Sequence, residues 1–444
     1  MTITEALAWL DDHVNLETGV GFTPERKRGA PTLDRIRELT ALLGTPQLEY
    51  PAVHVTGTNG KGSTARMIAS LFEASGRSTG LTTSPHLEHV NERIVWNDEP
   101  IGDDELARVL TQIAAVEEFL TESPSYFEIM IAAAFTYFAD VAVDVAVVEV
   151  GMGGSWDATN VIDAPVVVVT NVELDHTEYL GETRAAIAAD KAGIVTPEST
   201  LILGESDPEL RAIFAARNAE RTLVRDEDFG VVTGHIAHGG RLLTLRTSRA
   251  QYEDVFVPLH GAHQADNAAL ALTAVEAAIG HVLDEDIVHE GFARVESPGR
   301  LEVVGTQPLV VLDGAHNVAG VRALRTALAE EFPDSPRALV IGLMREKDAT
   351  EMLTALDVGS VDRLVCSTPP TPRGMDAQAV ADAAIALGVD PDRIDVQRDI
   401  AAAVTHALDV TEAGGQILIT GSLYLVGAAR AAMRAESARR GARR

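Results

Sequence analysis

The stretch VHVTGTNGKGSTARMIAS, residues 53–70, gathers residue types that handle phosphate. An apolar, β-branched run ends in a loop carrying Gly57, Gly60 and Gly62, and an alanine-rich helical pattern follows. Strand, glycine loop and helix N-terminus together cradle anions, because bare backbone N–H groups and the helix dipole face the charge. The spacing is shorter than the strict G-x-x-x-x-G-K-[ST] loop, so a generic glycine-rich turn is the competing reading. Lys61, Ser63 and Thr64 favour phosphate. The lysine would act as a point charge against β- and γ-phosphates, and a hydroxyl would bond phosphate or a magnesium ion.

Other stretches offer metal and acid–base chemistry. In VVEVGMGGSWDATN, Glu149 ends a strongly apolar strand. A charge there is paired, bound to metal or turned to solvent. Ligands of open α/β sheets gather at the carboxyl ends of strands, and magnesium is held by one or two carboxylates plus phosphate oxygens. Glu149 is therefore expected to be a metal ligand. TNVELDHTEYLGETRAAIAADKAGI places Glu173, Asp175 and His176 just past a strand and Lys191 near a helix end. Spacing alone leaves these open between structural and functional roles. Ser84, before a proline in TTSPHLEHVNERI, is a turn residue or a metal-binding hydroxyl. VVLDGAHN sets Asp313, His316 and Asn317 after a later strand, PPTPRG and ITGSLYLVG also follow strands, and Arg300 lies in a linker from which it could reach a nucleotide.

These residues need an α/β scaffold. PAVHVTG, VDVAVVEVG and APVVVVTNV are continuous apolar runs that suit strands buried on both faces of a parallel sheet. Helical patterns cover roughly 62–76, 103–121 and 126–140. FGVVTGHIAHGGRLLTLRT and YEDVFVPL alternate and contain a Gly-Gly turn, which predicts a small antiparallel side sheet. HQADNAALALTAVEAAIG reads as a helix closed by Gly280. VESPGRLEVV, 295–304, reads as a linker. Beyond it PLVVLDG, RALVIGLM, DRLVCS and GQILITGS restart the alternation as a doubly wound unit. The expected domains are 1–297 and 298–444.

Composition narrows the function classes. The net charge of −30 opposes broad nucleic-acid binding, which needs a basic footprint. It also means that anionic substrates need local Lys, Arg or metal charge. No apolar run is long enough for a membrane span, and MTITEALAWLDDHV lacks the basic start of a signal peptide. Cys366 is the sole cysteine, which excludes an internal disulfide and fits a cytoplasmic location. The basic tail RAESARRGARR reads as a solvated helix end.

Taken together, GTNGKGS, SPHL…ERI, EVGMGG…DATN, LDHTEYLGETRAAIAADKAGI and DGAHN occur in the order and approximate spacing of the folylpolyglutamate synthase/dihydrofolate synthase family, within the Mur ligase superfamily. The chain resembles that family from TLDRIRELTALLG through ITGSLYLVG. The resemblance implies a P-loop-type central domain, a Rossmann-like C-terminal domain and an active site between them. It implies ATP on Thr58, Asn59, Gly60, Lys61, Gly62 and Ser63. Ser84 and Glu149 match ligands of one magnesium, and His176 matches a ligand of a second. Lys191 matches a lysine carried as a carbamate, a modification that turns a cation into a carboxylate able to hold Mg²⁺. Asn267, Arg300, Asp313 and His316 match contacts to nucleotide or incoming glutamate. Phe127 and Glu128, with Trp156, Asp157 and Ala158, align with the pteroate-binding region, and Asp34 and Arg35 with its margin. Ser155 and Val318 depart from residues the family often carries, Arg and Pro, and the first departure bears on folate specificity.

The implied reaction is ATP-dependent ligation of L-glutamate to dihydropteroate and to glutamylated folates through an acyl phosphate, with domain closure excluding water. His316 is the candidate base for the amine. No nucleic-acid or membrane partner is expected, and a monomer is. The alternative within the family is a single-activity enzyme that only extends folates already carrying glutamate. Two rival readings outside the family are a UDP-sugar peptide ligase and a nucleotide-binding regulator without ligase activity. The first usually carries a longer segment before its P-loop. The second should have lost Lys61 or a metal ligand, and Lys61, Ser84, Glu149, His176 and Lys191 are all present.

Overall fold

A computed structural model describes residues 1–15, 17, 32–332 and 336–442, with side chains described up to residue 436. The chain forms two compact units, one of Met1–Pro258 with His263–Glu296, the other of Leu259–Ala262 with Ser297–Arg444.

The first unit is built on an eight-stranded sheet. Its strands are β1 (Ala52–Thr56), β2 (Thr79–Thr82), β3 (Ile94–Trp96), β4 (Glu99–Pro100), β5 (Val145–Glu149), β6 (Val166–Val169), β7 (Thr200–Leu203) and β8 (Arg221–Val224), in the order β4-β3-β2-β5-β1-β6-β7-β8. All pairs from β2 to β8 are parallel, and β3 and β4 extend the edge antiparallel. The central strands β1, β5 and β6 are buried along their whole length, so their valines are covered on both faces. Each such side chain contributes about 1.5–3 kcal/mol on burial. The register sets Val55 beside Glu149, which places the glycine loop after β1 next to the carboxylate that ends β5. Helix Lys61–Ala74 packs on helix Glu285–Ala293, where Gly291 admits Leu71. The side sheet forms as expected from β9 (Gly230–Ala237), β10 (Gly240–Arg246) and β11 (Gln251–Val257), antiparallel throughout. The helical pattern expected over 103–121 stops at Glu117.

The second unit has six strands, β12 (Glu302–Thr306), β13 (Leu309–Asp313), β14 (Arg337–Ile341), β15 (Arg363–Cys366), β16 (Ile394–Val396) and β17 (Gln416–Thr420), ordered β12-β13-β17-β14-β15-β16. All pairs are parallel except β12–β13. The end of the segment read as a linker is thus an edge strand, since alternation in LEVVGT pairs it with the apolar run of β13. Leu339, Ile341, Leu364 and Cys366 face one helical layer, while helices Ile400–Val410 and Leu423–Ala442 cover the other face. Cys366 is fully buried, and burial, with Asp395 nearby, pushes its thiol up to about 12. Leu259–Ala262 joins this unit because Glu331 accepts the Gly261 N–H at 2.8 Å and meets His260 Nδ1 at 2.7 Å. Most side chains of the basic tail lie outside the described ones. No helix among the described residues is long and apolar enough to cross a membrane.

Candidate active site

The loop between β1 and helix Lys61–Ala74 adopts conformations that need glycine. Gly57 and Gly60 have φ of +146° and +84°. A Cβ on Gly57 would lie 1.8 Å from Thr170 Oγ1, and one on Gly60 2.6 Å from Asn267 Oδ1. Asn267, buried in helix His263–Ile279 and held by Gln264 at 3.0 Å, therefore abuts the loop. The loop's main chain is tied to the end of β6. Thr58 N–H donates to Asn171 O at 2.9 Å, and the Thr58 hydroxyl exchanges hydrogen bonds with the backbone of Glu173. Lys61 Nζ donates to Thr58 O at 3.3 Å, so its charge stays over the loop.

Glu149 and Ser84 meet at this loop. Glu149 is 6% exposed, and its Oε2 accepts the Ser84 N–H at 3.2 Å. A Cβ at Gly62 would stand 3.4 Å from the same oxygen. Ser63 is buried in the first helical turn, and the buried Thr64 hydroxyl beside it has no hydrogen-bond partner among the described residues. This donor set fits a phosphate-bound divalent cation: one carboxylate, a serine and the hydroxyls of a helix start. Among the described residues no three His, Cys, Asp or Glu side chains form a metal-holding cluster. A cation here would complete its shell with phosphate oxygens and water, as Mg²⁺ characteristically does.

Lys191 is also brought to the loop. Its side chain is 4% exposed, and Nζ donates to Gly57 O at 2.6 Å. Burial above all, then the Lys61 charge, lowers its ammonium to about 7, against the opposing pull of Asp190, Asp175 and Asp157. The glycines of GMGG explain how it gets there. Cβ atoms on Gly153 and Gly154 would meet Asp190 Oδ2 at 2.0 Å and Lys191 O at 2.9 Å, and one on Gly193 would meet Ser155 Oγ at 2.1 Å. The two glycine-bearing segments interlock and carry Lys191 inward. His176 is exposed and begins a short helix, Thr177–Leu180, with a left-handed backbone at φ +48°. Asp175 Oδ1 accepts its N–H at 2.9 Å.

The residues aligned with a pteroate region are deeply committed to local structure. Glu128 closes a capping box with Ser125 and receives Arg35 Nε on both oxygens at 3.2 Å. The Phe127 ring lies against Gly151, where a Cβ would come within 2.5 Å of Cζ. Fully buried Asp157 accepts from the Met152 N–H at 2.8 Å and from the Thr159 N–H and hydroxyl, while burial raises its pKa. His54 donates to or accepts from Thr159 Oγ1 at 2.8 Å, and burial lowers its pKa to about 3. Ala158 is core, Trp156 is half-buried, and Asp34 is exposed at a helix start.

In the second unit, Asp313 ends β13 and organises two loops. Its oxygens accept the Leu301 N–H at 2.9 Å and the Ala315 N–H at 2.8 Å. The Arg300 guanidinium borders Gly314, where a Cβ would lie 2.9 Å from Nη1. His316 Nδ1 is 2.8 Å from Gly314 O, and Asn317 caps helix Val318–Glu331. Sequence reasoning singled out neither Thr170 nor Asn171, although both hold the glycine loop. The dipeptide stands inside a quoted motif, but its partner is distant in sequence.

Known proteins resemble this chain over most of its length. Residues 55–275 match the Mur ligase middle domain, and residues 299–423 match the Mur ligase glutamate ligase domain. The dihydrofolate synthase/folylpolyglutamate synthase of Mycobacterium tuberculosis is 40% identical over 90% of this chain and 89% of its own. The folylpolyglutamate synthase of Lacticaseibacillus casei is 36% identical over 94% of this chain and 98% of its own. The structure of M. tuberculosis folylpolyglutamate synthase complexed with ADP superposes with a TM-score of 0.89 at 39% identity, covering 97% of this chain and 98% of that one. That of Escherichia coli FolC in complex with DHPP and ADP gives 0.84 at 28% identity, covering 99% of each. The chain belongs to the dihydrofolate synthase/folylpolyglutamate synthase family of Mur ligases.

Proposed function

We propose that the protein is an ATP-dependent ligase that joins L-glutamate to dihydropteroate and to folates already carrying glutamate. The observation that carries this reading is the convergence of Lys61, Ser84, Glu149 and Lys191 on one glycine loop at the carboxyl ends of β1 and β5. We assign residues 1–297 to ATP binding and 298–444 to the ligase domain. The acceptor carboxylate attacks the γ-phosphorus of ATP, the bond from that phosphorus to the β–γ bridging oxygen breaks, and an acyl phosphate and ADP result. The glutamate amine attacks that carbonyl, and phosphate leaves with the amide formed. Loop N–H groups of residues 60–63 hold the phosphates, while the Thr58 and Asn59 N–H groups are bonded to Asn171 and shape the loop, and Lys61 offsets charge on the transferring group. Ser84 and Glu149 would hold one Mg²⁺, and His176 with carbamylated Lys191 a second; when bound, such ions neutralise phosphate charge. A buried lysine with an ammonium lowered to about 7 supplies the neutral amine that carbamylation requires. Asn267, Arg300 and Asp313 are assigned to nucleotide or glutamate, and His316 to proton removal from the amine. Arg35, Phe127, Glu128, Trp156, Asp157 and Ala158 shape the pteroate end, with Asp34 at its margin. The protein acts as a cytoplasmic monomer on small molecules.

The L. casei relative is named for tail extension alone, so the single-activity alternative has a counterpart. The test is phosphate release with MgATP and L-glutamate, comparing 7,8-dihydropteroate with tetrahydrofolate, and mass spectrometry of the products. Glutamate on both acceptors supports the bifunctional reading. Glutamate on one restricts the function to that step, and on neither it refutes the ligase assignment.

A further inference from the structure

Asn59 of the glycine loop is held at both of its main-chain groups. The Asn171 side chain grips it at both main-chain groups: Oδ1 accepts the Asn59 N–H at 3.1 Å, and Nδ2 donates to the Asn59 carbonyl at 2.9 Å. Only one orientation of the amide satisfies both bonds. The same carbonyl accepts the Thr170 hydroxyl at 2.7 Å. Thr170 Oγ1 also sits directly over Gly57 Cα, so the absence of a side chain at Gly57 is what admits it. Thr170 is itself anchored by its N–H to Thr56 O at 2.9 Å, so the grip is delivered from the sheet.

The consequence concerns the next peptide. In a trans peptide the C=O and the N–H point in opposite directions. Two donors holding the Asn59 carbonyl toward β6 turn the Gly60 N–H the other way. Gly60, at φ +84°, is the residue on which such a peptide could most easily rotate. A rotated peptide would present a carbonyl oxygen where an anion-binding loop needs an N–H. We propose that Thr170 and Asn171 are positioning residues that lock the Asn59–Gly60 peptide in its anion-receiving orientation. This inference rests on the nucleotide reading of the loop.

The test compares Thr170→Ala with Thr170→Ser, which differ by one oxygen atom, and adds Asn171→Ala. ATP affinity is measured by calorimetry with Mg²⁺, alongside KM for ATP, KM for glutamate and thermal melting. Loss of one backbone hydrogen bond is expected to raise KM for ATP about five- to ten-fold in Thr170→Ala. KM for glutamate should stay unchanged, and Thr170→Ser should recover most of the loss. A purely structural role would lower the melting temperature and the active fraction without moving KM for ATP. If Thr170→Ala does not fold, Asn171→Ala makes the same comparison of the two KM values. Wild-type ATP affinity in both alanine variants, or an equal loss in the serine variant, overturns the lock. Failure of the wild-type chain to bind ATP refutes the nucleotide reading itself.

Discussion

Replacing Gly62 by alanine separates stability from function. Gly62 is the second residue of helix Lys61–Ala74 and is not among the glycines with positive φ. Alanine is favoured over glycine by up to about 1 kcal/mol in a helix interior, and about half of that is reasonable in a first turn. The new methyl would lie 3.4 Å and 3.6 Å from the two oxygens of Glu149, ordinary van der Waals contact. The fold should therefore accept Gly62→Ala with a change of less than about 1 kcal/mol, on the stabilising side, and a melting shift of roughly 1–2 °C. The same methyl stands between the loop and the carboxylate, where the proposed Mg²⁺ would need an oxygen about 2.0–2.1 Å away. Turnover is expected to fall at least about 100-fold, equivalent to about 3 kcal/mol of barrier, with the magnesium requirement shifted upward. Phosphate release titrated with Mg²⁺ and a thermal melt on the same preparation measure both halves. A Gly62→Ala protein with wild-type turnover and magnesium dependence would refute the placement of the cation between Gly62 and Glu149.

Other perturbations test separate parts of the molecule. Lys61→Ala should abolish phosphate release with either acceptor while leaving the melt within about 2 °C of wild type. Lys191→Ala should also abolish turnover, and near-normal activity would exclude a carbamate role. His54 remains neutral when folded down to about pH 3 but protonates near 6.5 when unfolded. The unfolded state thus binds the extra proton as pH falls from 6.5 to 3, and stability drops by up to about 5 kcal/mol across that window. Urea melts of His54→Gln between pH 7 and 4 should show a flatter acid limb than wild type. Phe138 is fully buried with its ring 2.7 Å from a Cβ position on Gly80, and Phe138→Ala should cost about 3–5 kcal/mol in the same assay.

What the sequence made legible was mostly local. The glycine loop, the apolar runs of β1, β5 and β6 and the hairpin of the side sheet each announce themselves within a few residues. The Asn171 grip on Asn59 spans 112 positions, and no pattern near either residue betrays it. The local partners of Glu128 and Asp157 are equally hidden in one dimension: their oxygens serve a capping box, an ion pair and backbone N–H groups. Likewise the end of VESPGRLEVV reads as linker until the neighbouring strand that pairs with it is known. The glycines of GMGG and DKAG carried a visible signal, but its cause is the interlock of two segments far apart in the chain.

Cys366 has a practical consequence. It is the sole thiol, it lies within the second unit's core, and at pH 7 to 8 it is overwhelmingly protonated. The unmodified protein should therefore be nearly inert to maleimides and iodoacetamides while folded. One cysteine introduced at an exposed position would be the single labelling site, and a pair would accept spectroscopic probes without first stripping the background. The unfolded chain would expose Cys366, so the same reagents would double as a clock for opening of the second unit.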